Sequence, residues 1–157
     1  MRTISKRTQY SLRATLALAR RYGQPPVLIA TLAREEAIPL KFLELILLDL
    51  KGHGVLASRS GKGGGYWLSR PPAEITMGSL IRMMEGPLAP LPCASETAYK
   101  PCETCTDVEF CGIRIVMREV RDAISGVLDK TTLEDVLKRV DEARARSAPE
   151  EPLMYYI

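Results

Sequence analysis

The chain has 157 residues, of which 46% are hydrophobic and 26% charged, and its net charge is +3. This composition is ordinary for a globular protein and allows one full domain, or a small domain with an extension. No run approaches the roughly 18 apolar residues of a membrane span, and the N-terminus lacks the long apolar stretch and cleavage site of a signal peptide. We therefore expect a cytoplasmic protein with no membrane partner.

The charge is divided unevenly between the two halves of the chain. Residues 1–70 contain twelve Lys and Arg against four Asp and Glu, a net charge of +8. Residues 71–157 contain ten against fifteen, a net charge of −5. A basic first half indicates contact with a polyanion, although a solvated basic surface explains the charge alone equally well.

Three short helices are predicted in the first 52 residues. An amphipathic pattern covers residues 6–22, and Gly23 ends it. A second helix is predicted over Ile29–Glu36 and a third from about Leu40 to Gly52. The third helix would bury Leu43, Ile46, Leu47 and Leu50. Two helices joined by about three residues and preceded by another helix form the helix-turn-helix pattern.

A β-hairpin is predicted next, with strands Val55–Arg59 and Tyr66–Ser69 around the loop SGKGGGY. Four glycines and a lysine have almost nothing to pack, so this loop suits a backbone that approaches another group closely, with a cation at its tip. Three helices and such a hairpin form a winged helix-turn-helix, in which one helix enters a major groove and the wing reaches phosphates or the minor groove. A nucleotide-binding loop is disfavoured, because Gly follows the lysine where Ser or Thr is required.

The second half is predicted to contain a short helix, a long loop and a long helix. Met77–Glu85 is the short helix, and residues 87–106 form a loop of unusual length. A helix from about Val108 to Leu128 carries an apolar stripe wider than one chain easily covers, which favours a two-fold partner over packing on the first helix alone. The residues predicted at this dimer interface are Ile113, Val116, Val120, Ile124 and Val127.

A last helix is predicted after Thr131 and Thr132, which resemble an N-cap, and it ends near Ala145. The predicted fold class is mainly α with a small β-hairpin wing, a winged helix-turn-helix followed by a long C-terminal dimerisation helix. Residues 1–72 form the predicted DNA-binding domain, residues 73–146 the cysteine loop and dimerisation helices, and residues 147–157 a tail.

All four cysteines, Cys93, Cys102, Cys105 and Cys111, lie within nineteen residues. Thiols clustered in a polar, Pro-rich loop are typical of ligands, and in a reducing cytoplasm they more often hold metal than form structural disulfides. Four thiolates suit an iron–sulfur cluster or tetrahedral zinc. The C-x2-C pair fits zinc, whereas the wider spacing of Cys93 better matches a cluster. A thiol–disulfide switch without metal is a third alternative.

The winged helix-turn-helix pattern also predicts the DNA contacts. The start of the third helix would face base edges, and the wing would contact phosphate or the minor groove. Glu44 would accept a hydrogen bond from cytosine, although an exposed helix carboxylate explains it equally well. The predicted residues are Lys41, Phe42, Glu44, Arg59, Ser60 and Lys62, with Leu40 as a further candidate. With His53 as the single histidine and no paired acids in a predicted cleft, no enzyme is predicted.

The chain resembles the Rrf-type winged-helix transcriptional regulators, the group that includes IscR, NsrR, RirA and CymR. The resemblance rests on M-R-x-x-S-K with Y-x-L-R near the N-terminus, on LKFLELIL, on RSGKGGGYWL and on the late T-T-L-x-D-V, and it covers roughly residues 1–140. It implies a homodimeric transcription factor that binds a pseudo-palindromic operator in double-stranded DNA. In many members an iron–sulfur cluster, [2Fe-2S] or [4Fe-4S], lies in the loop before the long helix and controls DNA binding.

The resemblance also implies roles for the cysteines. Cys93, Cys105 and Cys111 match the three cysteine ligands of cluster-binding members, with five residues between the last two. Cys102 is additional, and is either a fourth ligand or a free thiol. Gln9 stands where a nitric-oxide-sensing branch has an acidic ligand, which disfavours that branch. Other members bind a partner protein instead of a cofactor, but these tend to lack the cysteine set.

Overall fold

The computed structural model describes residues 4–103, 105 and 107–147. Its main elements are helices α1 (Lys6–Ala19), α2 (Ile29–Glu35) and α3 (Leu40–Gly52), strands β1 (Leu56–Arg59) and β2 (Gly65–Leu68), and helices α4 (Met77–Glu85), α5 (Gly112–Leu128) and α6 (Leu133–Ser147). Short 3₁₀ turns occur at Pro72–Glu74 and Pro92–Ala94. The predicted mainly α fold with a small hairpin wing is confirmed. Of the predicted tail, residues 148–157 lie outside the described residues.

One hydrophobic core lies between α1, α3, the hairpin, α4 and the start of α6. The four residues that α3 was predicted to bury are all 0% exposed, namely Leu43, Ile46, Leu47 and Leu50. Leu80 of α4 and Leu133 of α6 are equally buried in the same core. Because burying one such side chain contributes about 1.5–3 kcal/mol, the core fixes α3 with its opposite face outward. The predicted domain boundary after residue 72 stays a prediction.

Helix α1 is three residues shorter than predicted. Ser5 caps its start, where the side-chain oxygen accepts a hydrogen bond from the N–H of Thr8. At its end, the N–H groups of Arg21 and Tyr22 bond to carbonyls three residues back instead of four. This tighter last turn ends the α-helix at Ala19, so the amphipathic pattern over residues 6–22 includes a turn that is not α-helical.

The wing is a two-stranded antiparallel hairpin in which Leu56 pairs with Leu68. Its second strand is held on the other side by Val27, which exchanges two 2.9 Å backbone hydrogen bonds with Tyr66. Gly65, at a φ of +145°, lies against this contact, and a Cβ there would collide with the carbonyl oxygen of Val27. The glycine loop was expected to approach another group closely. At Gly65 that group is the backbone of Val27 in the same chain.

Replacing Gly65 with alanine is expected to lower the free energy of unfolding by about 1–3 kcal/mol, because the side chain would strain the backbone and displace Val27. Urea unfolding monitored by circular dichroism measures this change. Gly52→Ala is the matched control, since nothing lies within 4 Å of a Cβ at the end of α3. Equal stability of the two variants would contradict this account of the wing.

Helix α5 begins at Gly112, four residues later than the predicted start at Val108. The carboxylate of Asp107 accepts hydrogen bonds from the N–H groups of Glu109 and Phe110, at 3.0 and 3.1 Å. This local turn competes with helix formation. Cys111 follows in an extended conformation as the N-cap residue. The correction places the last cysteine at the N-terminus of the long helix instead of inside it.

Helix α6 begins with a reciprocal capping box, close to the predicted N-cap. The N–H of Thr132 donates to the carboxylate of Asp135 at 2.9 Å, and the N–H of Asp135 donates to the Thr132 hydroxyl at 3.1 Å. Backbone hydrogen bonds from Met77 to Thr131 and from Leu133 to Ile75 join this start to α4. The capping box therefore orients α6 relative to the rest of the fold.

The capping box predicts a pH dependence of stability. Hydrogen bonds from the N–H and hydroxyl of Thr132 hold the pKa of Asp135 below its usual range. A carboxylate with a lowered pKa in the folded state stabilises the fold above its unfolded pKa of about 3.9, and this contribution is lost as the pH falls through the folded pKa. Asp135→Asn should therefore lower the melting temperature at neutral pH and converge with wild type in acid. Glu134→Gln, in the same turn, is the control, and a pH-independent difference would contradict the prediction.

Candidate functional site

The outer face of α3 is exposed along its length. Lys41 and Glu44, both predicted DNA contacts, lie on this face. Leu45 and Leu48, four and seven residues after Lys41, share it and are 65% and 57% exposed. Sequence reasoning missed these two leucines, although their spacing from Lys41 was the available signal. Apolar side chains in this position suit contact with thymine methyl groups.

Phe42 lies on the side of α3 that faces α1. Its ring contacts Tyr10 edge-on, with the ring centroids 6.1 Å apart. An open groove of about 560 Å³ lies beside it. The groove is lined by Arg7, Phe42, Leu45, Ile46, Leu48 and Asp49. Phe42 thus has a packing contact within the chain, and its contact with DNA stays a prediction.

Four of the twelve basic residues of the first half, all arginines, form ion pairs within the chain. Ion pairs join Arg7 to Asp49, Arg13 to Glu36, Arg20 to Asp141 and Arg21 to Glu35. Across the described residues neither Lys41 nor Lys62 forms an ion pair, and both are exposed. Among the described residues, the predicted DNA contacts therefore have cations without an ion pair at the start of α3 and at the tip of the wing.

Arg59 has a structural contact in addition to its predicted role. Its guanidinium donates a 2.9 Å hydrogen bond to the carbonyl of Gly63, across the tip of the wing. Ser60 and Lys62 lie in the same exposed loop. The arginine therefore shapes the loop that presents Lys62.

The structure brings two of the four predicted ligand cysteines directly together. Each of the Cys105 and Cys111 thiols shifts the pKa of the other, and the charge of Cys102 also acts on Cys105. Cys93 lies in the 3₁₀ turn Pro92–Ala94, half-buried. Among the described residues, no three His, Cys, Asp or Glu side chains are placed to hold a metal ion. The full ligand set stays a prediction.

The two paired thiols are electrostatically different. The N–H of Arg114 lowers the pKa of the Cys111 thiol, helped by the hydrogen bond from Cys105 and by the N–H of Ile113. This is the effect of a helix N-terminus on a thiolate. Partial burial, followed by the hydrogen bond to Cys111, raises the pKa of Cys105. Cys111 is therefore the more readily formed thiolate, the form that binds metals and reacts with oxidants.

Two arginines of α5 hold the 3₁₀ turn that contains Cys93. Arg114 donates to the carbonyl of Cys93 at 3.0 Å, and Arg121 donates to the carbonyl of Ala94 at 2.6 Å. The side chain of Arg121 is only 9% exposed, and its charge is balanced by Glu96 at 3.1 Å and by Asp122. Sequence reasoning missed both arginines, because neither belongs to an apolar stripe or a cysteine motif.

The described residues leave one face of α5 uncovered. Ile113, Val116 and Val127, three of the five residues predicted at a dimer interface, are 67%, 50% and 62% exposed. Val120 and Ile124 are half-buried. Within the chain, α5 contacts mainly the Cys93 turn and α4, to which Arg82 and Asp129 join it with a 2.8 Å hydrogen bond. An apolar helix face of this kind suits packing against another helix.

No helix in the described part of the chain has the length and apolar content needed to span a bilayer.

Comparisons with known proteins match this chain to one family. The Rrf2 family model, described as an iron-dependent transcriptional regulator, matches residues 4–139. An rrf2-like HTH-type regulator of Rhodobacter capsulatus is 42% identical over 137 residues, which cover 85% of this chain and 91% of the relative. The solved structure of CymR (YrzC), the global cysteine regulator of B. subtilis, is similar with a TM-score of 0.73 and 31% identity, covering 88% of this chain and 98% of that one. T. potens IscR has a TM-score of 0.73 and 29% identity, covering 99% and 97%.

Proposed function

The chain belongs to the Rrf2 family of transcriptional regulators, and from this premise we propose that it is a homodimeric repressor or activator whose operator affinity depends on the state of its cysteine loop, residues 93–111. The family and the relatives are transcriptional regulators and not enzymes. The proposed place of action is the cytoplasm, where the protein meets double-stranded DNA.

The proposed DNA contact rests on the exposed face of α3 and on the wing. Lys41 and Lys62 form no ion pair within the part of the chain that the structure describes, and phosphate contacts of such cations provide affinity and register. Glu44 and the neighbouring leucines are exposed on the same helix face, where side chains reach base edges in a major groove. The predicted role of Glu44 is to accept a hydrogen bond from cytosine.

The proposed dimer forms through α5. The uncovered apolar residues of this helix would be buried by the same face of a second copy, as in an isologous two-fold interface. Two copies of α5 would then set the distance between the two DNA-reading surfaces, and a pseudo-palindromic operator would match that two-fold symmetry.

The proposed cofactor is an iron–sulfur cluster. The family is described as iron-dependent, and the donor set consists of soft thiols, the ligands that such clusters prefer. Cys93, Cys105 and Cys111 would hold the cluster, with Cys102 as the candidate fourth ligand. The lowered pKa of Cys111 fits a thiolate ligand. Among the described residues no three cysteines surround one point, so binding through all four requires the loop to rearrange. When bound, the cluster supplies a centre that is sensitive to iron supply and to oxidation.

A thiol switch is the second candidate, and the contact between Cys105 and Cys111 favours it. When one of two neighbouring thiols ionises, its thiolate attacks the oxidant, and the second sulfur then displaces the oxygen leaving group to close a disulfide. With a peroxide as the oxidant, the two sulfurs give up two electrons, and the thiol proton and one proton from solvent leave with the peroxide oxygens as two waters. The similarity to CymR, the global cysteine regulator of B. subtilis, also favours this candidate. Zinc held by the same thiols is the third candidate.

Purification without oxygen distinguishes the three candidates. The proposal predicts brown protein with absorbance between about 300 and 500 nm, together with iron and acid-labile sulfide. Colourless protein with stoichiometric zinc would overturn the cluster proposal in favour of a zinc site. Colourless, metal-free protein in which peroxide joins Cys105 to Cys111, detected by peptide mass spectrometry, would favour the thiol switch.

A further inference from the structure

Arg114 and Arg121 connect the cysteine loop to the helix that carries the uncovered apolar face. They are seven residues apart on α5, two helical turns, so they lie on the same face of the helix. Their side chains donate to the carbonyl oxygens of two consecutive residues, Cys93 and Ala94. These are contacts to backbone, so a shift of the turn moves the hydrogen-bond acceptors themselves.

Arg114 reaches several parts of the loop at once. In addition to its bond to Cys93, its guanidinium donates to the carbonyl of Val108 at 3.3 Å and lies 5.9 Å from the ring centroid of Tyr99. One residue in the first turn of α5 thus contacts segments near both ends of the cysteine loop.

Arg121 is the buried one of the two arginines, and it holds the turn at Ala94. A buried guanidinium is tolerated only when its donors and its charge are satisfied. Here the bond to Ala94, the ion pair to Glu96 and a 2.7 Å hydrogen bond to Asp122 supply the partners. Ala94 is itself 1% exposed, so the turn is pressed against α5 as well as hydrogen-bonded to it.

Among the described residues, the remaining contacts of α5 are few. Apart from the Cys93 turn, the helix contacts α4, where Arg82 and Asp129 join its C-terminal end. The N-terminal half of α5 is therefore held mainly by the cysteine loop. No residue of this half of α5 belongs to the hydrophobic core of the described chain, so core packing there does not oppose a movement of the loop.

We propose that Arg114 and Arg121 are positioning residues that couple the cysteine loop to α5, so that a rearrangement of the thiols moves the dimer helix and changes the spacing of the two DNA-reading surfaces. This inference rests on the proposed function. It assigns the coupling to two arginine–carbonyl contacts on one helix face, and not to the apolar stripe.

The first test uses the full chain without a cluster, and measures amide hydrogen exchange. Arg114→Gln removes the guanidinium that donates to Cys93. Arg121→Lys keeps the positive charge but lacks the planar guanidinium with its several donors. Exchange of the amides of residues 93–96 and 112–121 should become at least several-fold faster in both variants. Arg118→Gln, an exposed arginine between the two on the same helix, is the matched control and should exchange like wild type. Unchanged exchange in both folded variants would overturn the proposed contacts.

The second test uses a DNA duplex that the wild-type protein selects from a random library. The dissociation constant for this duplex is measured with the iron–sulfur cluster bound at the cysteine site and again after its removal. In wild type, the larger of the two dissociation constants is divided by the smaller. In Arg114→Gln and Arg121→Lys this ratio should fall to less than about half its wild-type value, while iron per protomer stays unchanged. If either variant fails to fold, the other carries the test.

A wild-type ratio retained in the folded variants would overturn the coupling role. If wild type itself bound the duplex equally in both states, the proposed function would fail and the coupling role with it. Hydrogen exchange would still decide, independently, whether the arginines hold the turn.

Discussion

Replacing Arg59 and Lys62 together with glutamine is expected to weaken binding to every duplex by about a hundred- to a thousand-fold at 0.15 M salt. The double variant removes two wing cations per protomer, and therefore four in the proposed dimer. Each lost phosphate contact lowers the slope of log affinity against log salt by about 0.9, so the slope should fall by about 3 to 4 units. Glutamine at position 59 keeps an amide that can donate to Gly63, which protects the shape of the wing.

Fluorescence anisotropy at four salt concentrations measures this slope. Lys130→Gln with Arg146→Gln is the matched control, because it removes the same charge far along the chain from α3 and the wing. Preferred and scrambled duplexes should be affected alike, since phosphate contacts carry no sequence information. An unchanged slope in a folded double variant would mean that the wing does not contact phosphate.

Replacing Cys105 or Cys111 with serine is expected to remove the absorbance of anaerobically purified protein and to abolish the response of DNA binding to iron removal. Serine keeps the size of the side chain but is a far weaker ligand than a thiolate. Cys111 should be the more sensitive position, because the N-terminus of α5 stabilises its thiolate. Each variant should remain folded, since both side chains lie in the loop and not in the core.

Lys100→Gln is the control for this series, because it changes an exposed residue of the same loop and leaves all four thiols in place. The series is measured as absorbance and iron per protomer. Full absorbance in Cys111→Ser would contradict the assignment of this residue as a ligand. Cys102→Ser separates a four-thiolate site, which would lose its iron, from a three-thiolate site, which would keep it.

The helix-turn-helix and the wing were predictable because their signals are local. The 3.6-residue period identified Leu43, Ile46, Leu47 and Leu50 of α3, and all four are buried. The glycines around Lys62 marked the turn of the hairpin. The contact that requires Gly65 was not predictable, because it joins the wing to Val27, nearly forty residues earlier in the chain.

The residue at which α5 begins and the contacts of its arginines could not be predicted from the spacing of apolar residues. Val108 continues the apolar period of the helix, yet the carboxylate of Asp107 holds the chain in a turn until Cys111. Arg114 and Arg121 read as ordinary exposed positions of an amphipathic helix. Their contacts to Cys93 and Ala94 depend on how a loop some twenty residues away folds back, which no local pattern encodes.

The similarity to relatives supplies the family but not the state of the cysteines. Rrf2 members include proteins named for iron dependence and for cysteine regulation. The lowered pKa of Cys111 beside Cys105 suits a thiolate ligand and a reactive thiol alike.

The most direct test is the dissociation constant of the wild-type protein for its selected duplex, measured without oxygen before and after a chelator removes the iron. Coupling of about 1–3 kcal/mol, the usual range between linked sites, predicts a difference of about five- to 150-fold between the two forms. Identical constants for the iron-loaded and iron-free forms, with iron content verified in each, would contradict control of DNA binding by the cysteine loop.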